Sequence, residues 1–524
     1  MSQGTRHILP KGSVQGVQTD KRMAAISLSV LLALSFSFLF INGSDSTLLQ
    51  KIFTFITDTL GGVYLVYLFA VLVLLVGLAV SSTGKIRLGD GPPQYDNLSW
   101  FSMLFCACIG SSILYWGMIE WGYYVGSPPF GLDPMSVEAA EISVGYTMFH
   151  WGISGWATYC MAAIIIAYSF FVKKIPVFRI SVSCALKEGK RKNFWAALID
   201  IFVIIGLCSG VAVSVALGTP MIAQGLNVLF GIPANTVTNV LIAVFWAMLF
   251  SASAVSGVEK GIKVLSNTNS ILALAFVAFI LLAGNTTFII NNSVNSLGAM
   301  LDNFIKMSFS TEPMGTNHFP QVWTIFYWAW WISYVPVMGL FIAKISKGRT
   351  IRQVVVGTTL LGSLGCWLFQ AVLGSYGLSL QLSGRIDTVA NLSTIGEYGA
   401  IMELLGTLPM PKFMIALFIV LSFIFLATTC DSSAYILATI TTKRITIHQE
   451  PTKSSRLMWS VAIIIWPVIL LVVGGLNVVK LCSMIGSIPL LFIFYKMMKG
   501  FLVELMQRGQ DVKSVQEEKK EVAA

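Results

Sequence analysis

The sequence predicts an all-α polytopic membrane protein, and three observations support that prediction. Hydrophobic residues make up 56% of the 524 residues, charged residues make up only 11%, and the mean hydropathy is +0.78. Soluble domains carry charge on about a quarter of their residues. The apolar residues also gather into runs of about 20, the length that an α-helix needs to cross a bilayer. Finally, most basic residues lie in the loops between those runs.

The apolar runs predict about twelve transmembrane helices. A polar, basic tail that ends at Arg22 precedes the first of them. The first run is long and lacks a convincing small-residue cleavage site, which favours a retained helix over a signal peptide. The predicted spans lie near residues 23–41, 62–81, 99–120, 142–172, 194–217, 234–256, 268–290, 322–345, 352–378, 411–440, 456–475 and 478–499. A less apolar stretch near 292–307 predicts a helix that lies in the membrane interface.

The charges of the loops predict the orientation of these helices. Basic clusters fall in every second loop, on the same side as the N-terminal tail, at 85–87, 173–192, 260–263, 344–352 and 443–456. Because loops rich in Lys and Arg stay in the cytoplasm, we expect both termini to be cytoplasmic. The net charge of +10 is then a topology signal, and no nucleic acid partner is expected. The eight cysteines lie in or near spans or in a predicted cytoplasmic loop, so they predict no disulfide framework.

An aromatic stretch in the span near 322–345 is the most informative part of the chain. It reads W-T-I-F-Y-W-A-W-W-I-S-Y from Trp323 to Tyr334, and its rings recur at the spacing that lines one face of a helix. An interfacial aromatic belt explains Trp323 well. It explains Trp330 and Trp331 poorly, because they lie about 12 Å deeper, near the middle of the bilayer. Aromatic faces at that depth suit a quaternary ammonium group, which has no N–H to satisfy.

The phrase F-Y-W-A-W-W, followed by I-S-K-G-R-T-I-R, resembles the signature helix of the betaine/carnitine/choline transporter (BCCT) family. The resemblance runs from roughly Val30 to Tyr495. It implies a LeuT-like core of two inverted five-helix repeats, in a homotrimer in the bacterial inner membrane. The implied parts are an N-terminal tail (1–22), two additional helices (23–98), the transport core with the interfacial helix (99–499) and a C-terminal tail (500–524).

The resemblance also implies an aromatic substrate site. The motif F-H-W-G-I-S-G-W-A-T-Y in the span near 142–172 is similar to the part of the family's aromatic box that this helix supplies. The substrate-binding residues implied are Tyr123, Trp151, Trp156, Tyr159, Trp323, Trp330, Trp331 and Tyr334, with Trp323 resembling an outer regulatory site. A core aromatic stripe is the alternative for the rings on this helix. His150 is predicted to be a hydrogen-bonded structural residue rather than a proton carrier.

Ion coupling is implied by a second set of residues. Carnitine/butyrobetaine exchangers carry an arginine at the position of Asn269, whereas sodium-coupled members have asparagine, so this residue favours a coupling sodium ion. Met338 favours the opposite, because it matches a methionine of the sodium-independent exchangers. The ion-coupling positions implied are Cys106, Ile109, Asn269, Met338, Phe425, Thr428 and Thr429. The two threonine hydroxyls supply hard oxygen ligands, unless they bond only to their own helix.

The small-residue run from Cys106 to Ser112 has two interpretations. It allows either close packing of helices or an interrupted helix whose carbonyl groups face a cavity. The second interpretation is the one that the family resemblance favours. Asp431, an ionisable group near the end of a predicted span, is a secondary candidate for coupling.

These observations predict a secondary active transporter of quaternary ammonium compounds such as carnitine, glycine betaine or choline, with cation-coupled symport by alternating access. Sodium-independent exchange of carnitine and butyrobetaine is one alternative, and proton-coupled choline uptake is another. A membrane sensor of quaternary amines is the alternative from another class. A membrane enzyme is disfavoured, since the sequence has no Walker loop and no H-E-x-x-H pair. No cofactor and no metal beyond a sodium ion are expected from four histidines without metal spacing.

Overall fold

The computed structural model describes residues 17–523, except for 45, 108–109, 176, 178, 185, 187–188, 190, 257–258, 316 and 444–448. The side chains of 38–47, 250, 253–266, 473–474 and 509–523 are also outside the description. Within the described residues the chain is almost wholly helical, and its only extended pairings are two isolated β-bridges.

The first half of the described chain contains ten α-helices. They are α1 (Lys21–Ser44), α2 (Ser46–Thr54), α3 (Gly61–Val80), α4 (Asn97–Cys106), α5 (Ser111–Gly126), α6 (Val137–His150), α7 (Ile153–Ala167), α8 (Lys192–Phe230), α9 (Thr236–Ser256) and α10 (Glu259–Ala283). Short π-helical turns cover Phe55–Thr59 and Tyr168–Val172, and 3₁₀ turns cover Ser82–Lys85 and Ile180–Cys184.

Seven further α-helices follow in the described part. They are α11 (Thr286–Phe309), α12 (Ile325–Ile345), α13 (Ile351–Leu382), α14 (Thr388–Thr394), α15 (Gly396–Gly406), α16 (Pro411–Ile440) and α17 (Lys453–Ala523). A π-helical turn, Pro320–Thr324, leads into α12. Gly475 interrupts α17 with a φ of +65°, a left-handed conformation that glycine adopts without strain.

Eight helical segments within the described residues are long and apolar enough to cross a membrane. They are Gly61–Val80, Val137–Val172, Lys192–Phe230, Pro320–Ile345, Ile351–Leu382, Pro411–Ile440, Lys453–Val472 and Gly475–Arg508. Two bent pairs raise the number to ten, with a bend of 57° between α4 and α5 and of 112° between α10 and α11. These segments confirm the prediction of an all-α polytopic membrane protein. Its division into two additional helices and a ten-helix core stays a prediction.

The predicted interfacial helix near 292–307 corresponds to α11. It turns away from α10 by 112°, as a helix leaving a span for the membrane interface would. Its exposed face carries large apolar side chains, including Val294, Leu301 and Ile305. Its opposite face packs against α6, where Gly145 lets the two backbones approach: a Cβ there would lie 2.7 Å from the carbonyl oxygen of Ser296. Its position in the interface stays a prediction.

The basic motif after α12 forms a tightly fixed turn. Gly348 has a φ of +81°, and a Cβ there would collide with the carbonyl group of Pro92, so only glycine fits. The next residue, Arg349, is buried and donates a hydrogen bond of 2.8 Å to Oδ1 of Asn97. Its guanidinium group also lies 4.1 Å from the ring centre of Trp100. The motif therefore fixes the end of α12 against the start of α4. We call this end of the helix bundle the basic end.

The first described residues pair with the end of α16 at the basic end. Thr19 forms an antiparallel β-bridge with Thr442, and the N–H of Asp20 donates to the carbonyl oxygen of Thr441 at 2.6 Å. Arg179 holds this pairing from the side, since its guanidinium lies 3.2 Å from the carboxylate of Asp20. The segment before α1 is thereby joined to a helix more than 400 residues later in the chain.

Candidate functional site

Five of the predicted substrate residues form one aromatic cluster, which we call the inner box: Trp151, Trp156, Tyr159, Trp330 and Trp331. Trp331 is at its centre, with its ring 4.7 Å from Tyr159, 5.9 Å from Trp156 and 6.3 Å from Trp151. Trp330 extends the cluster, 5.8 Å from Trp151 and nearly perpendicular to it. All five side chains are buried. The structure therefore brings together rings from α7, α12 and the segment between α6 and α7.

A break in a predicted span positions these rings. Between α6 and α7 the backbone of Gly152 leaves the helical conformation, with φ −106° and ψ −146°. The break releases carbonyl groups that an unbroken helix would have bonded. Indole N–H groups take them instead: Trp331 donates to the carbonyl oxygen of His150 at 3.0 Å, and Trp367 donates to that of Met148 at 2.7 Å. The interrupted helix thus fixes the orientation of the central ring.

Two glycines let the rings lie directly on the backbone. A Cβ at Gly155 would lie 2.5 Å from two carbon atoms of the Trp331 ring. A Cβ at Gly362 on α13 would collide with the ring of Trp156. Because packed side chains leave no room for an added methyl group, any residue larger than glycine at either position displaces a wall of the inner box.

Tyr334, the sixth predicted residue, lies one helical turn further along α12. Its ring centre is 6.3 Å from that of Trp330, and its hydroxyl group is 2.8 Å from the hydroxyl of Ser214. Beyond it, a cavity faces the basic end and is lined by Ile166, Phe170, Pro336, Leu340, Ile436 and Ile440. A small cavity of about 30 Å³ therefore lies on the side of the inner box that faces the basic end.

A buried carboxyl group touches the inner box, and sequence reasoning missed it. Glu120, on α5, is fully buried. Its carboxylate accepts hydrogen bonds from Nε1 of Trp151 at 2.9 Å and from the hydroxyl of Tyr327 at 2.6 Å, and it also accepts one from Tyr124. Bonds to an ionised acceptor are about twice as strong as neutral ones. Glu120 therefore holds Trp151 in place and puts negative charge beside the box.

His150 completes the network around this carboxyl group. Its Nδ1 lies 2.8 Å from the hydroxyl of Tyr124 and 3.5 Å from the carboxylate of Glu120, and its Nε2 lies 3.0 Å from the hydroxyl of Thr324. Both ring nitrogens therefore have partners, which agrees with the predicted structural role. The sequence signal for the network was a single acidic residue inside an apolar run, which by itself suggests function.

Tyr123 and Trp323, the two remaining predicted residues, lie apart from the inner box. Trp323 belongs to a second cluster with Trp116 and Phe326, which we call the outer cage, nearer the end opposite the basic end. The rings of Trp323 and Trp116 are 5.5 Å apart, and the ring of Tyr123 lies 5.2 Å from that of Trp323.

Asn269 is buried and carries an unused acceptor. Its Nδ2 donates to the backbone carbonyl of Leu421 on α16 at 3.1 Å, while its Oδ1 has no hydrogen-bond partner among the described residues. Leu421 precedes Thr428 by two helical turns, or about 10 Å along the axis. Asn269 and Thr428 therefore face the same helix at different levels, so their side chains do not belong to one ligand set.

The other predicted coupling residues lie on three helices. Thr428 donates to the carbonyl oxygen of Phe425 at 2.9 Å, so in this structure its hydroxyl bonds to its own helix. Cys106 ends α4 and is partly buried. Thr429 and Met338 are partly buried, on α16 and α12. Ile109 lies outside the described residues.

Oxygen atoms suit a sodium ion, and these residues supply some of them. The described residues contain no group of three or more His, Cys, Asp and Glu side chains placed to hold a metal. Hydroxyl and carbonyl oxygens are ligands for a hard cation such as sodium. Among the described residues, the unpaired Oδ1 of Asn269 is one such oxygen.

The many spans, the broken helices and the buried aromatic box define a polytopic membrane transporter. The chain belongs to the betaine/carnitine/choline family of transporters (BCCT), whose model matches residues 22–510. It is 36% identical over 447 residues to the uncharacterized transporter YeaV of Escherichia coli, covering 85% of this chain and 93% of that protein. It is 34% identical over 494 residues to a carnitine transporter of Acinetobacter baumannii, covering 94% and 90%. The protein is thus a transporter and not an enzyme.

Proposed function

We propose that this protein is a secondary active transporter that moves a quaternary ammonium compound of the carnitine and betaine type, and that the inner box binds its trimethylammonium group. The observation that supports this most strongly is the meeting of Trp151, Trp156 and Tyr159 with Trp330 and Trp331. A cation over a desolvated aromatic face gains about 2 kcal/mol. Glu120 adds a negative charge beside the rings.

Alternating access is the mechanism that we propose. The inner box is buried, with the outer cage on one side and a small cavity toward the basic end on the other. By the distribution of basic loops, the cavity side is cytoplasmic. Transport requires the box to open to each side of the membrane in turn, and binding alone cannot drive that change. A coupling ion or a counter-substrate must therefore bind the two arrangements with different affinity.

We propose sodium as the coupling ion. The support is Asn269, a neutral residue with an unpaired acceptor at the position where the sodium-independent exchangers carry a fixed positive charge. A sodium ion bound by Thr428 and Thr429 would restore a positive charge to this part of the protein, with Asn269 about 10 Å away along α16 rather than among its ligands. This requires the hydroxyl of Thr428 to leave the carbonyl oxygen of Phe425, which it contacts at 2.9 Å.

Transport into proteoliposomes tests the function directly. Purified protein would be offered labelled carnitine and labelled glycine betaine, with a sodium gradient, a proton gradient or internal butyrobetaine supplied one at a time. We expect uptake that requires sodium. Uptake that requires only internal butyrobetaine would instead make the protein an exchanger, the alternative that Met338 favours. Binding without any flux would make it a sensor.

The coupling residues have their own test. We expect Thr428→Ala with Thr429→Ala to raise the sodium concentration for half-maximal uptake by about tenfold, as the loss of roughly 1.4 kcal/mol of ligand interactions would do. Thr439→Ala on the same helix is the matched control, because its hydroxyl bonds to Tyr435 nearer the basic end. An unchanged sodium requirement in the double variant would remove these two hydroxyls from the proposal.

A further inference from the structure

The outer cage contains a positive charge that the protein itself provides. Lys480, in the second span of α17, places its ammonium group 5.0 Å from the ring centre of Trp116, 5.1 Å from that of Phe326 and 5.5 Å from that of Trp323. Ammonium groups inside membrane spans are rare and usually functional. The three rings stabilise this charge in the way that an aromatic cage stabilises a bound cation.

The N–H groups of the Lys480 ammonium are not used in hydrogen bonds to the described residues. Among the described residues, no acceptor lies within hydrogen-bonding distance of it and no carboxylate lies within ion-pair distance. Glu120, the buried carboxyl group on α5, already accepts hydrogen bonds from Trp151 and two tyrosines. Aromatic rings stabilise a positive charge, but they accept hydrogen bonds from N–H groups only weakly. The site therefore lacks an anionic oxygen.

The position of Lys480 relative to the inner box shows which anion suits it. The ring of Phe326 touches both sites, 5.1 Å from the ammonium group and stacked at 5.8 Å on the ring of Trp330. The two sites are therefore neighbours that share one ring, and a small molecule with a cationic and an anionic end suits such a pair. We propose that Lys480 binds the carboxylate of the substrate whose trimethylammonium group lies in the inner box. This inference rests on the proposed function and adds the residue that binds the substrate's carboxylate.

Selectivity is the consequence that can be measured. A zwitterion such as butyrobetaine gains a charge-assisted bond at Lys480, whereas its methyl ester and choline keep the trimethylammonium group but present no anion. Binding would be measured by calorimetry on the purified full-length protein. We expect the wild type to bind butyrobetaine at least about tenfold more tightly than the ester, which is the lower range for a hydrogen bond to a charged group.

Substitution of Lys480 should remove this preference. We expect Lys480→Met to weaken butyrobetaine binding by about tenfold to a hundredfold. The ester and choline should bind more tightly to this variant, because a like charge has been removed. Lys480→Arg should keep most of the preference. Equal weakening of all three ligands by Lys480→Met would show a structural role and would overturn the inference.

Controls separate failure of this inference from failure of the proposed function. Lys499→Met, an exposed position on the same helix, should leave the ligand preference unchanged. If Lys480→Met does not fold, the affinities of the wild type for butyrobetaine and for its methyl ester still test the inference. Equal affinities would overturn the inference and leave the transporter proposal intact. A wild type that binds none of the three ligands would overturn both.

Discussion

The inner box and the outer cage are built from the same kind of side chain but differ in their charge. Both are clusters of buried rings that share α12, and the rings of Trp330 and Phe326 stack where the clusters meet. The outer cage surrounds the ammonium group of Lys480. Over the inner box, the described residues place no Lys or Arg side chain; its nearest charged group is the carboxylate of Glu120.

This difference shows that an aromatic cluster in a membrane does not by itself identify a substrate site. Rings favour any cation, and the protein can supply that cation itself. The inner box, with an acidic neighbour and no protein cation among the described residues, suits an external quaternary ammonium group. The outer cage already has its cation, so the group that it attracts from solution is an anion.

The largest expected effect compares one tryptophan from each cluster. Trp331→Leu should weaken substrate binding by about thirtyfold or more, because it removes the central ring and about 2 kcal/mol of cation–π attraction. Trp323→Leu should change the affinity by less than about threefold, since that ring contacts Lys480 instead. Calorimetry with butyrobetaine would measure both, with the exposed Trp195→Leu as control. Equal losses of affinity in Trp331→Leu and Trp323→Leu would contradict the different roles of the inner box and the outer cage.

Glu120→Gln tests the acidic neighbour. The amide keeps the shape of the side chain but loses the charge that Trp151 and Tyr327 bond to. We expect substrate affinity to fall by about tenfold to thirtyfold, as hydrogen bonds to a charged group become neutral ones. Glu138→Gln, an exposed position on α6, is the control. If affinity persists and only the thermal midpoint falls, Glu120 is structural.

Gly155→Ala probes the shape of the inner box without altering its chemistry. The added methyl group would lie 2.5 Å from the ring of Trp331, so the ring must move. We expect about a tenfold loss of affinity, consistent with overpacking costs of about 1–3 kcal/mol. Gly62→Ala is the matched control, because nothing lies within 4 Å of its added Cβ. A ring that relaxes freely would leave affinity unchanged and would show that the box is not rigid.

The smallest expected effect couples the two clusters. Glu120 contacts the inner box, Lys480 contacts the outer cage, and the two side chains do not form an ion pair. We therefore expect the affinity losses of Glu120→Gln and Lys480→Met for butyrobetaine to be non-additive by a factor of about two to five, the size of a coupling of about 0.5–1 kcal/mol. A double-mutant cycle measures it. Strict additivity would mean that the clusters bind their ligand groups independently.

Most of the fold was predictable from the sequence because long apolar runs identify membrane helices. Ten of the twelve predicted spans correspond to the eight long segments and the two bent pairs. The breaks were harder to place. The span near 142–172 gave no sign of ending at His150, since Trp151 and Gly152 are both common within membrane helices. The α4–α5 break lies in the small-residue run, where packing and interruption were both expected.

The aromatic residues of the site were predictable, but their division between two clusters was not. Helical spacing groups Trp323 with Trp330 and Trp331, and only the neighbouring helices show that these rings face different partners. Glu120 and Lys480 carried a signal that was available, a lone charge within an apolar run. Their importance depends on contacts with residues far away in sequence, which periodicity does not reveal.

The β-bridge between Thr19 and Thr442 sets an order for the biosynthesis of the protein. A chain leaves the ribosome from its N-terminus, at about 5–20 residues per second. The segment before α1 must therefore wait, with its backbone groups unpaired, until α16 has been made and inserted. Its docking onto Thr441 and Thr442 is accordingly a late step of assembly. A bulky domain fused before this segment would interfere with completion of the fold rather than with its beginning.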